Sequence, residues 1–160
     1  MDDRYRLRKL TPTDAASVAL IHRLAFDQRL PWLAGRHTPA EDQWFFRERV
    51  FPACEVWGAC AGTLINGFIA FREDWVDHLY VAPEAQGQGL GSALLAQAQA
   101  TWPRLSLWTF QRNWPARRFY EARGFVLLKQ TDGADNEEHE PDALYTWLRQ
   151  SGGHGVWHTA

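Results

Sequence analysis

Residues 79–92 read Leu79-Tyr80-Val81-Ala82-Pro83-Glu84-Ala85-Gln86-Gly87-Gln88-Gly89-Leu90-Gly91-Ser92. The run opens as the end of an extended apolar stretch, breaks at Ala82-Pro83, and leads into an alanine- and leucine-rich segment. Between them stand Gly87, Gly89 and Gly91, at alternate positions. Glycine lets a backbone approach a ligand closely and turn several N–H groups the same way. A helix starting near Ser92 adds the positive end of its dipole, so strand, loop and helix together make a pyrophosphate site that needs no basic side chain. A plain tight turn is the simpler account of one glycine, and a weak account of three in this setting.

Two other phosphate loops can be tested against the same letters. A dinucleotide fingerprint needs glycine three residues after Gly89, where Ser92 stands, and a Walker loop needs Gly-Lys-Ser/Thr, which is missing. Neither pattern is satisfied.

Working outward, the flanking periodicities give an α/β chain. A strand at 4–9 precedes Thr11-Pro12-Thr13-Asp14, a capping sequence, and Val18, Ile21, Leu24 and Ala25 then recur at helical spacing. Pro31 to Pro39 interrupts, and a second helix is expected over 40–51. Extended runs at 54–61 and 64–71 flank Gly62-Thr63 as a hairpin, and a third strand covers 75–81. Helix formers fill 92–101, a strand follows over 104–110, and Pro115 and Gly124 bracket a short helix over 116–123. Strands at 125–129 and 143–148 close the order. The expected fold is a mixed, mostly antiparallel central sheet flanked by helices, in one domain over 1–150. Ser151-Gly152-Gly153-His154 begins a tail over 151–160 that reads as frayed.

Composition excludes several function classes. With 17 Lys plus Arg against 19 Asp plus Glu in 160 residues, the net charge of −2 offers no basic excess for nucleic acid. The opening Met1-Asp2-Asp3-Arg4-Tyr5-Arg6 has no apolar run behind it and no stretch approaches a membrane span, so a cytoplasmic protein is expected. Cys54 and Cys60 fall on one extended run, too far apart to bridge, and read as structural thiols. His22, His37, His139, His154 and His158 are scattered without ligand spacing, so no metal is expected.

The glycine loop and the segment C-terminal to it resemble the GCN5-related N-acetyltransferase (GNAT) family. Gln86, Gly89 and Gly91 fill the Gln/Arg-x-x-Gly-x-Gly/Ala loop, and Leu79, Val81 and Pro83 match the preceding strand phrase. Asn113, Ala116, Phe119, Tyr120, Gly124 and Phe125 resemble the second signature, Asn-x-x-Ala-x-x-Phe-Tyr-x-x-x-Gly-Phe. The likeness is close over about 64–126 and rests on element order alone before that.

The resemblance implies acetyl-CoA as cosubstrate and an amine, on a small molecule or a protein, as acceptor. Backbone groups of Leu79, Tyr80 and Val81 would pair with the pantetheine arm, and Gln86, Gly87, Gln88, Gly89, Leu90, Gly91 and Ser92 would supply the pyrophosphate cradle. Asn113, Ala116 and Phe119 would border the arm. Tyr120 would protonate the departing thiolate, the competing role being an ordinary core tyrosine. A catalytically inactive acetyl-CoA-binding module is the alternative.

The general base is open from the residues alone. Asp77 is in phase with Leu79 and Val81 and stands first, with Glu73 and His78 behind it and a structural ion pair as its competing role. The acidic run 132–142 is a solvated loop or a field that attracts a cationic amine; in the second case neutralising Glu137 and Glu138 raises the KM in a salt-sensitive way. Trp32, Trp44 and Trp75 fall in segments that, by the resemblance, border the acceptor. An exposed sheet edge would suit a homodimer.

Overall fold

Gly62, at φ 60°, turns β2 (Glu55–Ala61) back on β3 (Leu64–Arg72) as an antiparallel hairpin, and β4 (Trp75–Val81) returns along the other side of β3. In the computed structural model, which describes residues 1–150, β1 (Arg6–Lys9) adds to β2. The tail beginning at Ser151 lies outside the described residues. Beyond β4 come α4 (Leu90–Thr101), β5 (Arg104–Phe110), α5 (Trp114–Ala122), β6 (Val126–Thr131) and β7 (Asp142–Leu148). The seven strands form one mixed sheet in the order β1-β2-β3-β4-β5-β7-β6, and each neighbouring pair except β4 with β5 is antiparallel. This is the element order and the sheet type that the sequence indicates.

Phe68, Ile69, Ala70 and Phe71 run consecutively with no solvent exposure, so β3 is covered on both faces. On one face His22 of α1 (Ala15–Arg29) packs against Tyr80, with ring centroids 4.8 Å apart. On the other, Leu94 of α4 lies 3.4 Å from the position a Gly67 side chain would occupy, beside Val81. Strand alternation therefore sends His78 and Tyr80 toward α1, and Leu79 and Val81 toward α4.

The second helical segment differs from a plain helix. Thr38 caps α2 (Pro39–Phe45), accepting from the Glu41 N–H at 3.1 Å while the Glu41 carboxylate takes the Thr38 N–H at 2.9 Å. A π-helical stretch, Phe46–Val50, follows, and then the short α3 (Phe51–Ala53). The wider turn places Phe46 and Val50 in the core, 1% and 5% exposed, and leaves Trp44 and Phe45 outside it.

One join governs everything functional. Parallel β4 and β5 share a single register pair, Trp75 with Ser106, and the Ser106 N–H reaches the Asp74 carbonyl at 2.7 Å. Past that point the strands part, so the last residues of β4 pair with β3 on one edge and face an opening on the other.

Candidate active site

The opening between β4 and β5 is a cleft of about 300 Å³. Leu79, Tyr80 and Val81 form one wall, Gln86, Gly87, Gly89, Leu90, Gly91 and Ser92 the loop end, and Asn113, Ala116, Phe119 and Tyr120 the α5 side. The residues singled out from the sequence thus converge on one space, with two exceptions.

Gln88 is the first exception. Its side-chain oxygen accepts from Arg4 Nη2 at 2.9 Å and from the Tyr5 hydroxyl at 3.1 Å, so the side chain braces the loop against the N-terminal segment instead of bordering the cleft. Asp77 is the second. Ala70 pairs with His78 but Phe71 with Val76, which makes Asp77 the extra residue of a β-bulge and breaks the alternation that put it in phase with Leu79. Its carboxylate takes Arg72 Nε at 2.7 Å and the Cys54 thiol at 3.2 Å, at the closed end of the β4–β5 join. Burial, and after it the Asp77 carboxylate, push that thiol's pKa up to about 12, which disfavours its thiolate.

The loop itself shows why glycine is required. Gly87 and Gly89 adopt φ of 80° and 83°, the left-handed region, and Gly89 is the residue before α4. Gln86 ties the loop down: its amide donates to the Val81 carbonyl at 3.0 Å and to Gln28 at 2.9 Å, while its oxygen accepts from Arg29 Nη2 at 2.9 Å. Asn113 caps α5 by accepting the Ala116 N–H at 3.3 Å. Gly91 is under no such constraint: it lies in the first turn of α4, and a Cβ there would sit 3.4 Å from the Phe119 ring, an ordinary contact.

A valine at Gly89 would pay the left-handed penalty of about 1–3 kcal/mol for a non-glycine residue. Relief comes by turning the loop amides out of place, so Gly89→Val should weaken coenzyme A binding by roughly 5- to 150-fold. Gly91→Ala is the control, because its added carbon meets an ordinary contact distance inside a helix; it should keep the wild-type Tm or raise it slightly. Calorimetric Kd values for both variants decide the point, and equal affinities would mean the amides do not hold the ligand.

Two arginines that sequence reasoning did not place flank the loop. Arg123 donates to Ser92 Oγ at 3.0 Å from Nε, and its guanidinium lies 3.7 Å over the Phe119 ring. Arg29, held by Gln86, lines the opposite lip. The signal for Arg123 was its spacing, three residues after Tyr120 on the face of α5 that turns inward.

Tyr120 is 8% exposed, between Phe119 and Phe125 at centroid distances of 5.2 and 5.4 Å. Burial, with Tyr80 as a smaller contribution, pushes its phenol well above the ordinary value. Tyr80 rises to about 12 for the same reason, with the Glu138 carboxylate second.

Arg29, Tyr80 and Asn113 also line a second chamber of about 500 Å³, walled by Asp132, Asp135, Glu138 and Asp142 of the acidic loop. The loop is anchored. Glu140, 4% exposed, accepts from Arg112 at 2.9 and 2.7 Å and from the Trp32 indole at 2.9 Å, and Arg112 lies 4.0 Å over the Trp32 ring. Arg112 first, and Trp32 after it, hold the Glu140 carboxyl below the usual range against the effect of burial. Glu140→Ala should therefore cost roughly 1–3 kcal/mol, or about 2–4 °C of Tm per kcal/mol. An unchanged melting curve would show the anchor to be idle. Trp75, by contrast, sits at the β4–β5 join under Arg72, away from this chamber.

Among the described residues no group of three or more His, Cys, Asp and Glu gathers as a metal site, and no helix is long and apolar enough to cross a membrane.

Residues 52–127, which hold the loop and most of α5's surroundings, match the family model for the acetyltransferase (GNAT) domain. That segment is similar to the GNAT acetyltransferase domain. The chain is 36% identical over 83 residues to the peptidyl-lysine N-acetyltransferase YiaC of Escherichia coli (strain K12), a stretch that covers 51% of this chain and 53% of YiaC. The chain thus spans about half the length of that curated relative. Over the whole fold it is similar to apo-YjaB of Escherichia coli, with a TM-score of 0.75 and 20% identity over 91% of this chain and 99% of that one. The PaiA N-acetyltransferase of Thermoplasma acidophilum, solved in complex with coenzyme A, superposes with a TM-score of 0.67 and 18% identity over 92% of this chain and 99% of that one. These two likenesses bear on the fold alone. The matched segment does not include α1 or the acidic loop, which line the chamber beyond the cleft together with residues of β4 and β5.

Proposed function

We propose that the protein is an N-acetyltransferase that moves the acetyl group of acetyl-CoA to a primary amine by direct attack in a ternary complex. The observation that carries this reading is the parting of β4 from β5, which sets an unpaired strand edge, a glycine cradle and Tyr120 around one cleft.

The residues fit such a cosubstrate. A Cβ added at Gly87 would meet nothing within 4 Å, so the cradle's lip is open, and Arg29 and Arg123 flank it with positive charge. Amides of the loop and the first turn of α4 suit a pyrophosphate, and the free edge of β4 suits an extended amide-bearing arm. Bound there, acetyl-CoA supplies an activated thioester carbonyl.

The chain's own groups then have distinct tasks. A β4 backbone N–H supports negative charge on the carbonyl oxygen, and Tyr120 gives its proton to the departing sulfur. The acceptor enters as an ammonium through the chamber walled by Asp132, Asp135, Glu138 and Asp142. It loses two protons overall: the C–N bond forms, the C–S bond breaks, one proton ends on sulfur by way of Tyr120, and one leaves to solvent. Asp77, the base suggested by sequence, is bulged and paired with Arg72, and the chamber carboxylates lie on the amine's route instead.

YiaC acts on peptidyl-lysine, and a lysine ammonium belongs to the same chemical class. The decisive experiment measures coenzyme A affinity by calorimetry and thiol release from acetyl-CoA with a panel of amines. Binding with amine-dependent release supports the transferase. Binding without release from any amine favours the non-catalytic acetyl-CoA-binding alternative, and no binding removes both.

A further inference from the structure

A third chamber opens beyond the acidic one. It measures about 560 Å³ and lies between α1, α2, the π-helical stretch and β4. His22, Phe26, Trp44, Phe45, Phe46 and His78 form an almost continuous aromatic wall. The rings meet edge to face or tilted: His22 to Phe46 at 5.2 Å, His78 to Phe46 at 5.1 Å, and Phe45 to His78 at 5.9 Å. Both histidines behave as apolar walls. Each has a buried Nδ1 with no hydrogen-bond partner, and burial drives both pKa values down, to about 3 for His22 and about 4 for His78.

The carboxylates at this chamber differ in what they already hold. Asp42 takes Arg23 twice, at 2.9 Å each, Glu41 caps Thr38, and Glu137 meets His37 Nε2 at 2.7 Å. Glu138 has no hydrogen-bond or ion-pair partner among the described residues, and with Phe26 it lines both this chamber and the acidic one. The route runs from the aromatic wall, past Glu138, to Tyr80 and the cofactor cleft.

We propose that Glu138 holds the acceptor's ammonium and that the aromatic chamber takes its tail, so that the preferred acceptor is a primary amine bearing an alkyl or aryl group. This rests on the transferase reading and names its substrate class. A carboxylate without a partner at the mouth of an apolar chamber favours a molecule with one charged end and one apolar end. A polyamine would bring its second ammonium against these rings and against carboxylates already held by Arg23, Thr38 and His37.

The test follows thiol release at saturating acetyl-CoA with methylamine, butylamine, hexylamine, phenethylamine, spermidine and a lysine-containing peptide. The kcat/KM should rise about threefold to fourfold per methylene buried, and phenethylamine should exceed methylamine by at least tenfold. Glu138→Gln should raise the KM of the tailed amines about tenfold, less so at high salt, with the KM of acetyl-CoA unchanged. Trp44→Ala, at a half-exposed position outside the core, should flatten the dependence on tail length. Rates that ignore the tail, or a preference for spermidine or the peptide, overturn the inference and leave the transferase standing. Coenzyme A binding without thiol release from any of these amines overturns both.

Discussion

Tyr120→Phe should slow turnover by about 10²-fold or more while coenzyme A binds almost as before. The phenyl ring keeps its packing against Phe119 and Phe125, so the substitution removes one oxygen and its proton and little else. A phenol whose pKa is raised by burial looks at first like a poor acid for a thiolate, whose ordinary value is near 8.5. The same burial raises the basicity of a thiolate formed beside it, so donor and acceptor move in the same direction and the transfer stays feasible. The raised value also keeps the phenol protonated through the neutral range, as the proposed acid role requires. Single-turnover thiol release, paired with calorimetric Kd values, separates the two effects. A kcat within twofold of wild type would make Tyr120 a packing residue.

Local features were legible because they are written in adjacent residues. Gly87 and Gly89 take the positive φ that a tight, ligand-facing loop demands, and the 3.6-residue spacing from Ala116 to Arg123 already turned Tyr120 inward. Element order followed from periodicity alone. What escaped was tertiary. The cleft exists because β4 and β5, separated in sequence by α4, pair at Trp75 and Ser106 and then diverge, which no local pattern encodes. Asp77 was misplaced because a one-residue bulge resets strand parity without a sequence mark. Arg4 and Tyr5, more than 80 residues away, hold the Gln88 side chain, a contact that no local pattern marks and that leaves its backbone amide in the loop. The acidic loop read equally well as solvated, since its anchor is a contact between Glu140 and Trp32 across 108 positions. The His22–His78 pair had no signature either, because two histidines used as neutral aromatic wall follow no ligand spacing.

That pair sets the second large effect, a loss of stability on mild acidification. In the unfolded chain both histidines titrate near pH 6.5, whereas in the fold His78 is held neutral down to about pH 4 and His22 to about pH 3. Between those limits the unfolded state binds more protons, so stability is complete above about pH 6.5 and falls as the pH drops toward the folded values. Each fully uncompensated histidine contributes a slope of about 1.4 kcal/mol per pH unit, so the loss between pH 6.5 and pH 5 amounts to roughly 2–4 kcal/mol for the pair. Aspartate and glutamate pairs contribute chiefly at lower pH, where carboxylates protonate, which leaves the window above pH 5 to these rings. His78→Phe and His22→Phe keep an aromatic ring in the wall and remove the titrating nitrogen. Each should flatten the Tm profile between pH 7.5 and pH 5, and the double variant should nearly level it. Parallel profiles for wild type and variants would mean that protonated imidazoles are tolerated, and the third chamber would then be wet and polar instead of an apolar seat for an acceptor's tail.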